Sequence, residues 1–280
     1  MASTRCFLGG NTAEGFFSLY DGFCAGEEDF LWIIKGGPGC GKSSFMRTVG
    51  RAAEQAGLDV EYVLCSGDPD SLDGVYLPAL HTGYVDGTAP HALEVRLPGA
   101  GGSYLDLGQF YDRAALHVLR KELAALFARY RACYAEVYRI LAPLTPPEGL
   151  PACSAGCRRR FARAVTCRGI VQAEPAPART LTKAELTELL AQPDTVRLQH
   201  PLFPQLTEGV QLGRDFCLLP PVPTDGAQAA VAKLREAKAL HDELEALYNP
   251  HVDFSGVYAL AQAHAARLQN ENPVVMRPEM

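Results

Sequence analysis

The sequence contains no apolar run long enough to cross a lipid bilayer. Its longest strongly apolar stretch, Phe30 to Ile34, is far shorter than the roughly 20 residues that a membrane-spanning helix needs. The first residues also lack the apolar segment of a secretory signal peptide. We therefore expect a cytoplasmic protein with no membrane partner.

Positive charge is not in excess either. The 280 residues include 26 Lys and Arg against 32 Asp and Glu, which gives a net charge of −6 with histidine neutral. Nonspecific nucleic-acid binding needs a basic surface that displaces counterions, so this balance argues against such a function. The nine cysteines are an odd number, and free thiols suit a reducing compartment better than a disulfide framework does.

A glycine-rich stretch directly follows the apolar run. Residues 36–43 read Gly-Gly-Pro-Gly-Cys-Gly-Lys-Ser and match every fixed position of the phosphate-loop pattern, Gly, four residues, Gly-Lys-Ser/Thr. The context agrees, because the apolar run predicts a buried strand and residues Ser43 to Ala56 have helical apolar spacing. The sequence therefore predicts a phosphate-binding loop between a strand and a helix.

Each residue type in this stretch has a role in binding phosphate. Glycines allow the tight turn that directs successive N–H groups at phosphate oxygens, and the helix N-terminus adds a favourable dipole. Lys42 is predicted to reach the β- and γ-phosphates, and the Ser43 hydroxyl to ligate Mg²⁺. The predicted ligands are ATP and Mg²⁺, and the predicted binding residues are Gly36, Gly37, Pro38, Gly39, Cys40, Gly41, Lys42, Ser43 and Ser44.

A Mg²⁺–nucleotide site also needs a carboxylate at the end of a neighbouring strand. We favour Asp86, which follows Gly83-Tyr-Val, as the metal ligand; Asp68, just past the predicted strand Val60 to Cys65, is the alternative. Either aspartate is also compatible with an ordinary turn. Asp73 and His91 are further candidates for positioning a water or an acceptor, or for capping a turn.

The chain also contains a weak internal repeat. Residues 7–15 align with residues 161–169, and residues 65–77 align with residues 200–212. The second copy is shorter where the first holds the strand, the glycine-rich loop and part of the following helix. We infer a second half that kept the framework and lost nucleotide binding, with chance similarity of short loops as the open alternative.

Two long helices are predicted from apolar spacing. Apolar residues alternate at three and four positions from Leu116 to Ile140, which predicts a helix from about Leu107 to Ala142 that the prolines after it end. The spacing recurs from Leu234 to Tyr248 near the C-terminus. We expect the two helices to pack as an antiparallel pair. Core packing is one role for such arms, and contact with a protein partner or a second copy of the chain is the other.

Two groups of residues have types that bind metals. His241 and Glu245 lie one helical turn apart, an arrangement that can ligate a metal and is also common on a solvated helix face. The other group is Cys153, Cys157 and Cys167, whose irregular spacing is a weak match to a thiolate site.

These motifs resemble an uncharacterised bacterial family of P-loop ATPase-like proteins whose longer members carry two P-loop halves. The resemblance implies an α/β, P-loop NTPase-like fold, a mostly parallel sheet flanked by helices, and nucleotide binding, but no known substrate. This chain lacks a second Gly-Lys-Ser loop, so one nucleotide site per chain is expected, with completion by a dimer partner left open. The segments that carry the resemblance are residues 7–15, 35–44, 65–73, 85–91 and 241–254.

The motifs divide the chain into four predicted regions. They are a P-loop nucleotide-binding half at residues 1–106, a long helical arm at 107–147, a degenerate second half at 148–224 and a C-terminal helical region at 225–280.

The leading functional prediction is an Mg²⁺-dependent P-loop ATPase whose ATP hydrolysis is coupled to an unknown client. Its candidate catalytic residues are Lys42, Asp86 and Asp68, and its metal ligands are Ser43 and Asp86. A kinase that transfers the γ-phosphate to a nucleotide or another small molecule is the alternative, although a clear arginine-rich lid is missing unless Arg158 to Arg160 supply it. A third possibility is a nucleotide-sensing scaffold without turnover.

Overall fold

The structure is a computed structural model that describes residues 3–12, 15–90, 92–142, 160–161, 163–172, 216–217 and 224–270. The strands are β1 (Ser3–Cys6), β2 (Gly9–Thr12), β3 (Gly15–Ser18), β4 (Phe30–Lys35), β5 (Val60–Leu64), β6 (Leu72–Leu77), β7 (Thr82–Asp86), β8 (Gly102–Asp106), β9 (Arg160–Phe161), β10 (Arg163–Thr166), β11 (Gly169–Gln172) and β12 (Phe216–Cys217). The helices are α1 (Lys42–Gln55), α2 (Arg113–Val118), α3 (Arg120–Leu141), α4 (Thr224–Tyr248) and α5 (Phe254–Asn270).

A six-stranded, mostly parallel sheet organises the described part of the chain. Its strands lie in the order β1-β5-β6-β7-β4-β8, and β6 runs antiparallel to both of its neighbours while the other pairs are parallel. The five parallel strands therefore end at one edge, which we call the carboxyl edge. Helices flank this sheet, so the α/β class predicted from the sequence is confirmed.

Strand β4 is buried on both faces of the sheet, as its unbroken apolar sequence predicts. Phe30, Trp32 and Ile34 contribute to a core that also contains buried residues of α1 and α5. Ile33 contributes to the core on the opposite face, where Leu31 also packs and where the N-terminal residues supply the other side. The strand therefore extends through the middle of the protein and delivers the next residues to the carboxyl edge.

Helix α1 begins at Lys42, one residue before the predicted start, and buries the apolar positions that its periodicity indicates. Phe45, Val49 and Ala53 are all fully or almost fully buried. They pack against the sheet together with residues of α5. The helix is thereby fixed with its N-terminus at the carboxyl edge.

Helices α3 and α4 form the predicted antiparallel pair. Leu123 and Leu126 near the start of α3 share a core with Leu240 and Leu244 near the end of α4. At the other end of α3, Val137 packs in a cluster with residues from the first half of α4. The heptad-like spacing in the sequence therefore does mark the contact between two helices.

The start of this arm differs from the prediction. Residues 107–110 form a 3₁₀ turn instead of the first turn of a long helix, and α2 and α3 follow as separate helices. The side chain of Asp106 accepts a hydrogen bond from Gly108 N, and that of Asp112 accepts one from Ala115 N. Each aspartate caps a new helical segment, so the periodic apolar pattern begins before the helix that it describes.

The first part of the internal repeat has a structural counterpart. Strands β2 and β3 form an antiparallel hairpin, and β10 and β11 form another. When the alignment of residues 7–15 with 161–169 is continued at the same offset, the paired residues of the two hairpins correspond. Gly15 and Gly169 occupy equivalent turn positions, both with φ of 106°. The two hairpins also touch, because Asn11 Nδ2 donates to Val165 O at 3.3 Å. The second aligned segment, residues 200–212, lies outside the described residues.

None of the described helices combines the length and the apolar character that a membrane span requires.

Candidate functional site

The candidate site lies at the carboxyl edge, where the glycine-rich loop connects β4 to α1. Strand β7 lies next to β4, and its last residue, Asp86, is paired in register with Ile34. The chain therefore places a carboxylate from one strand beside the loop that follows the neighbouring strand. This is the relation that the sequence predicted for Asp86.

Two glycines of the loop adopt backbone conformations that other residues rarely tolerate. Gly39 has φ of 67° and Gly41 has φ of 90°, both in the left-handed region. A Cβ on Gly39 would also lie 3.2 Å from the Cα of Glu245. Glycine is therefore needed at Gly39 both for the turn and for the close approach of the C-terminal helices.

Lys42 is the cationic group of the loop and is largely buried. Its Nζ donates to the carbonyl oxygens of Gly36 at 2.9 Å and Gly37 at 2.8 Å, and lies 3.6 Å from Asp86 Oδ2. The exposed fractions of the Lys42 and Asp86 side chains are 12% and 13%. The structure thus combines a cation, a carboxylate and a glycine-rich turn in one partly enclosed space.

Asp86 is held in place by the residues that follow it. Its Oδ1 accepts hydrogen bonds from the backbone N of Thr88 at 2.8 Å and from Thr88 Oγ1 at 2.6 Å. Lys35, at the end of β4, donates from Nζ to Gly87 O and Leu93 O at 2.9 and 3.1 Å. These bonds fix the segment on both sides of His91, which itself lies outside the described residues.

Ser43 is the second residue of α1 and connects the loop to β6. Its Oγ accepts a hydrogen bond from the backbone N of Leu72 at 2.9 Å. A hydroxyl oxygen has two acceptor lone pairs, so this bond leaves Ser43 able to bind a cation. The predicted metal ligands, Ser43 and Asp86, therefore come from two segments that are each fixed by hydrogen bonds.

The other predicted carboxylates have different surroundings. Asp68, in the loop between β5 and β6, lies 3.2 Å from Nζ of Lys238 on α4. Asp73 is buried and accepts a hydrogen bond from Tyr20 Oη at 3.1 Å. The ion pair that the structure gives to Lys42 is with Asp86, so Asp86 is the carboxylate that the fold brings to the lysine.

Three residues that the sequence did not indicate as part of the site lie against the glycine-rich loop; they are Tyr111, Tyr248 and Asn249. The Gly37 N–H donates to Tyr111 Oη at 2.8 Å, and burial raises the pKa of the Tyr111 hydroxyl, so this group stays protonated at neutral pH. Tyr111 packs against Tyr248 with 5.4 Å between ring centroids. Asn249, oriented so that its Nδ2 meets acceptors, donates to Gly39 O at 3.0 Å.

The sequence indicates only some of these three residues. Tyr248 and Asn249 lie within residues 241–254, a segment that carried the resemblance described above without an assigned role. Tyr111 follows β8 and its 3₁₀ turn, and no spacing pattern connects it with a loop that lies about 70 residues earlier in the chain. Its role depends on the sheet order, which places β8 next to β4.

His241 and Glu245 face the same region from the last turns of α4. His241 Nδ1 lies 3.7 Å from Glu245 Oε1, and candidate ligand atoms of His241, Asp242 and Glu245 all lie within 4.8 Å of one another. Burial lowers the pKa of His241, and the charges of Lys238 and Lys42 lower it further against the opposing effect of Glu245. The imidazole is therefore neutral at neutral pH.

The predicted thiolate group is described only in part. Cys167 is buried and lies in the turn between β10 and β11. Cys153 and Cys157, and the side chains of Arg158 to Arg160, lie outside the described residues.

Comparisons with models of protein families, with curated proteins and with solved structures find no match for this chain. What the site can do therefore follows from the chemistry of its own residues.

Proposed function

We propose that this chain is an Mg²⁺-dependent, ATP-binding protein of the P-loop NTPase type that hydrolyses ATP. The observation that carries the proposal is the convergence of the glycine-rich loop, Lys42 and Asp86 at the carboxyl edge, with 3.6 Å between Lys42 Nζ and Asp86 Oδ2. A loop of this sequence between a buried strand and a helix is typical of phosphate binding.

The residues of the site fit a magnesium–nucleotide complex. Ser43 and Asp86 offer the hydroxyl and carboxylate oxygens that Mg²⁺ prefers. Within the described residues no side chain caps the N-terminus of α1, so the first N–H groups of the helix are open to phosphate oxygens.

Each group of the site has a role in the proposed reaction. Bound Mg²⁺ supplies a positive charge that offsets the charge of the phosphates. Lys42 adds a second positive charge that stabilises the negative charge developing on the transferred phosphoryl group. Asp86, fixed by Thr88, and Ser43, fixed by Leu72, hold the metal-binding oxygens in position.

The arrangement also supports a connection between nucleotide binding and the helical arms. Asn249 and Glu245 contact Gly39 directly, and they belong to the end of α4 and the turn that follows it. A change in the loop on ATP binding would reach α4 and, through its contact with α3, the whole helix pair. An unidentified client would bind to that pair.

The proposal is tested by the binding and turnover of MgATP in wild-type and Lys42→Ala protein. We expect about 10- to 100-fold weaker MgATP binding in the variant, because a charge-assisted contact with phosphate is lost. Phosphate release should fall with it. Lys121→Ala, which removes an exposed lysine from α3, is the matched control and should behave as wild type.

Product analysis separates the proposal from its alternatives. Free phosphate that is released equally with and without a cell metabolite extract supports an ATPase. A phosphorylated small molecule that forms only with extract would show a kinase instead. Unchanged MgATP affinity in Lys42→Ala would contradict the proposed site itself.

A further inference from the structure

Glu245 is a carboxylate of the C-terminal region that lies against the glycine-rich loop. Its Cα and Cβ would lie 3.2 and 3.3 Å from a Cβ placed on Gly39. Asn249, one turn further along, is bonded to the Gly39 carbonyl, so this part of α4 is anchored to the loop. The position of Glu245 relative to the loop is therefore fixed by its own contact with Gly39 and by that of Asn249.

The carboxylate of Glu245 is not neutralised by a strong cation. Its side chain is 37% exposed, and within the described part of the chain it is paired with no lysine or arginine. Its neighbour at 3.7 Å is His241, which is neutral at neutral pH because burial lowers the pKa of the imidazole. Glu245 is thus accessible to water, with a neutral imidazole as the partner of its carboxylate.

The other carboxylates near the loop are engaged. Asp86 pairs with Lys42 and accepts two hydrogen bonds from Thr88. Asp68 and Asp242 both pair with Lys238. Among the acidic groups that contact the loop or its lysine, Glu245 is the one whose position and surroundings suit a general base.

Glu245 and Lys42 contact the same loop at different residues. Lys42 Nζ donates to the carbonyl oxygens of Gly36 and Gly37, whereas Cα and Cβ of Glu245 pack against Gly39. The lysine proposed to bind phosphate and Glu245 therefore lie on one glycine-rich turn.

We propose that Glu245 is the catalytic base that orients and deprotonates the attacking water, with His241 as its positioning partner; this inference rests on the function proposed above. The water oxygen forms a bond to the γ-phosphorus, and the bond from that phosphorus to the oxygen bridging to the β-phosphate breaks. ADP leaves with the electron pair of that bond, and the proton of the water passes to Glu245.

The test compares wild-type protein with Glu245→Gln, which keeps the size of the side chain and removes the base. Single-turnover release of phosphate from MgATP should fall by about 100-fold or more, whereas MgATP affinity should stay within about two-fold. Glu245→Asp should retain part of the activity. Glu243→Gln is the matched control, because Glu243 lies on the same helix and pairs with Arg129 at 3.7 Å.

Each outcome decides between clear alternatives. Normal turnover in Glu245→Gln, with MgATP affinity still lost in Lys42→Ala, would overturn the role of Glu245 and leave the proposed function in place. A loss of MgATP affinity in Glu245→Gln would make Glu245 a binding group and also overturn its role as a base. Failure of wild-type protein to bind MgATP would reject the function itself. If Glu245→Gln does not fold, the comparison of Glu245→Asp with wild type carries the test.

Discussion

Individual buried residues set how stability responds to pH, and His264 is the clearest case. Its side chain is 4% exposed, and its Nδ1 lies 3.2 Å from Tyr84 Oη. The rings of Trp32 and Phe45 surround it with centroid distances of 5.0 and 5.5 Å. Burial lowers the pKa of His264 to about 4, and the charge of Arg267 contributes in the same direction.

This pKa predicts a loss of stability on acidification. The unfolded chain binds a proton at His264 near pH 6.5, whereas the folded protein does so only near pH 4. The neutral, buried His264 therefore makes its full contribution to the free energy of unfolding above pH 6.5. Up to ~3 kcal/mol of that free energy is lost as the pH falls from 6.5 to 4. Urea unfolding between pH 4 and 7 should show a smaller pH dependence for His264→Gln, while exposed His117→Gln should keep the wild-type slope.

At the same scale, the sequence indicates some residues of the candidate site and not others, for a physical reason. Lys42 and Ser43 belong to a local pattern, so their spacing alone indicates their chemistry. The assignment of Asp86 needed one more assumption, that its strand lies beside β4. The pairing of β7 with β4 agrees with this assumption. Tyr111 was not identified, and Glu245 was identified only as a candidate metal ligand with His241; both reach the loop only through the order of the strands and the docking of α4, which no local pattern encodes.

At the scale of elements, the contact between α3 and α4 is the feature with the largest predicted effect on stability. Leu244 is fully buried in a cluster with Leu123, Leu126 and Leu240. Leu244→Ala should lower the free energy of unfolding by roughly 2–5 kcal/mol, because it removes buried methyl groups and leaves a cavity. Urea denaturation measures this change.

The control for this prediction is a side chain of the same kind that is not buried. Val118, at the end of α2, is 79% exposed. Val118→Ala should change the free energy of unfolding by less than about 0.5 kcal/mol. An equally small effect of Leu244→Ala would mean that the helix pair does not contribute to the folded state in solution.

Some helices and strands can be predicted from the sequence better than others, because only some of them have a local sequence signal. The apolar run of β4 and the periodicity of α1 and α4 are local signals that fall within the elements that form, whereas the periodic pattern of α3 begins earlier, at Leu116 in α2. The break between residues 107 and 120 was not predicted, because the apolar spacing does not reveal the caps that Asp106 and Asp112 provide to the 3₁₀ turn and to α2, nor the boundary at Leu119, which has no side-chain cap. The order of the strands depends on pairing between segments that are distant in the chain, and local patterns carry no signal for it.

At the scale of the whole molecule, helices from the end of the chain complete the core of the sheet. Val257, Ala261 and Leu268 of α5 lie in the same cluster as Trp32 of β4. Trp32 is the single tryptophan of the sequence, so its fluorescence reports on this shared core. The C-terminal helices and the sheet are therefore expected to unfold together.

This expectation gives a test of cooperativity. Trp32 fluorescence and far-ultraviolet circular dichroism should follow one urea transition with the same midpoint, because loss of α5 would expose the core around Trp32. MgATP, for which we propose the glycine-rich loop as the binding site, should raise both midpoints by the same amount, because that loop contacts the C-terminal helices and directly follows β4. Loss of the dichroism signal at a lower urea concentration than the fluorescence change would show that the helices unfold independently. In that case the contacts of Asn249 and Glu245 with the loop could not transmit nucleotide binding to the arms.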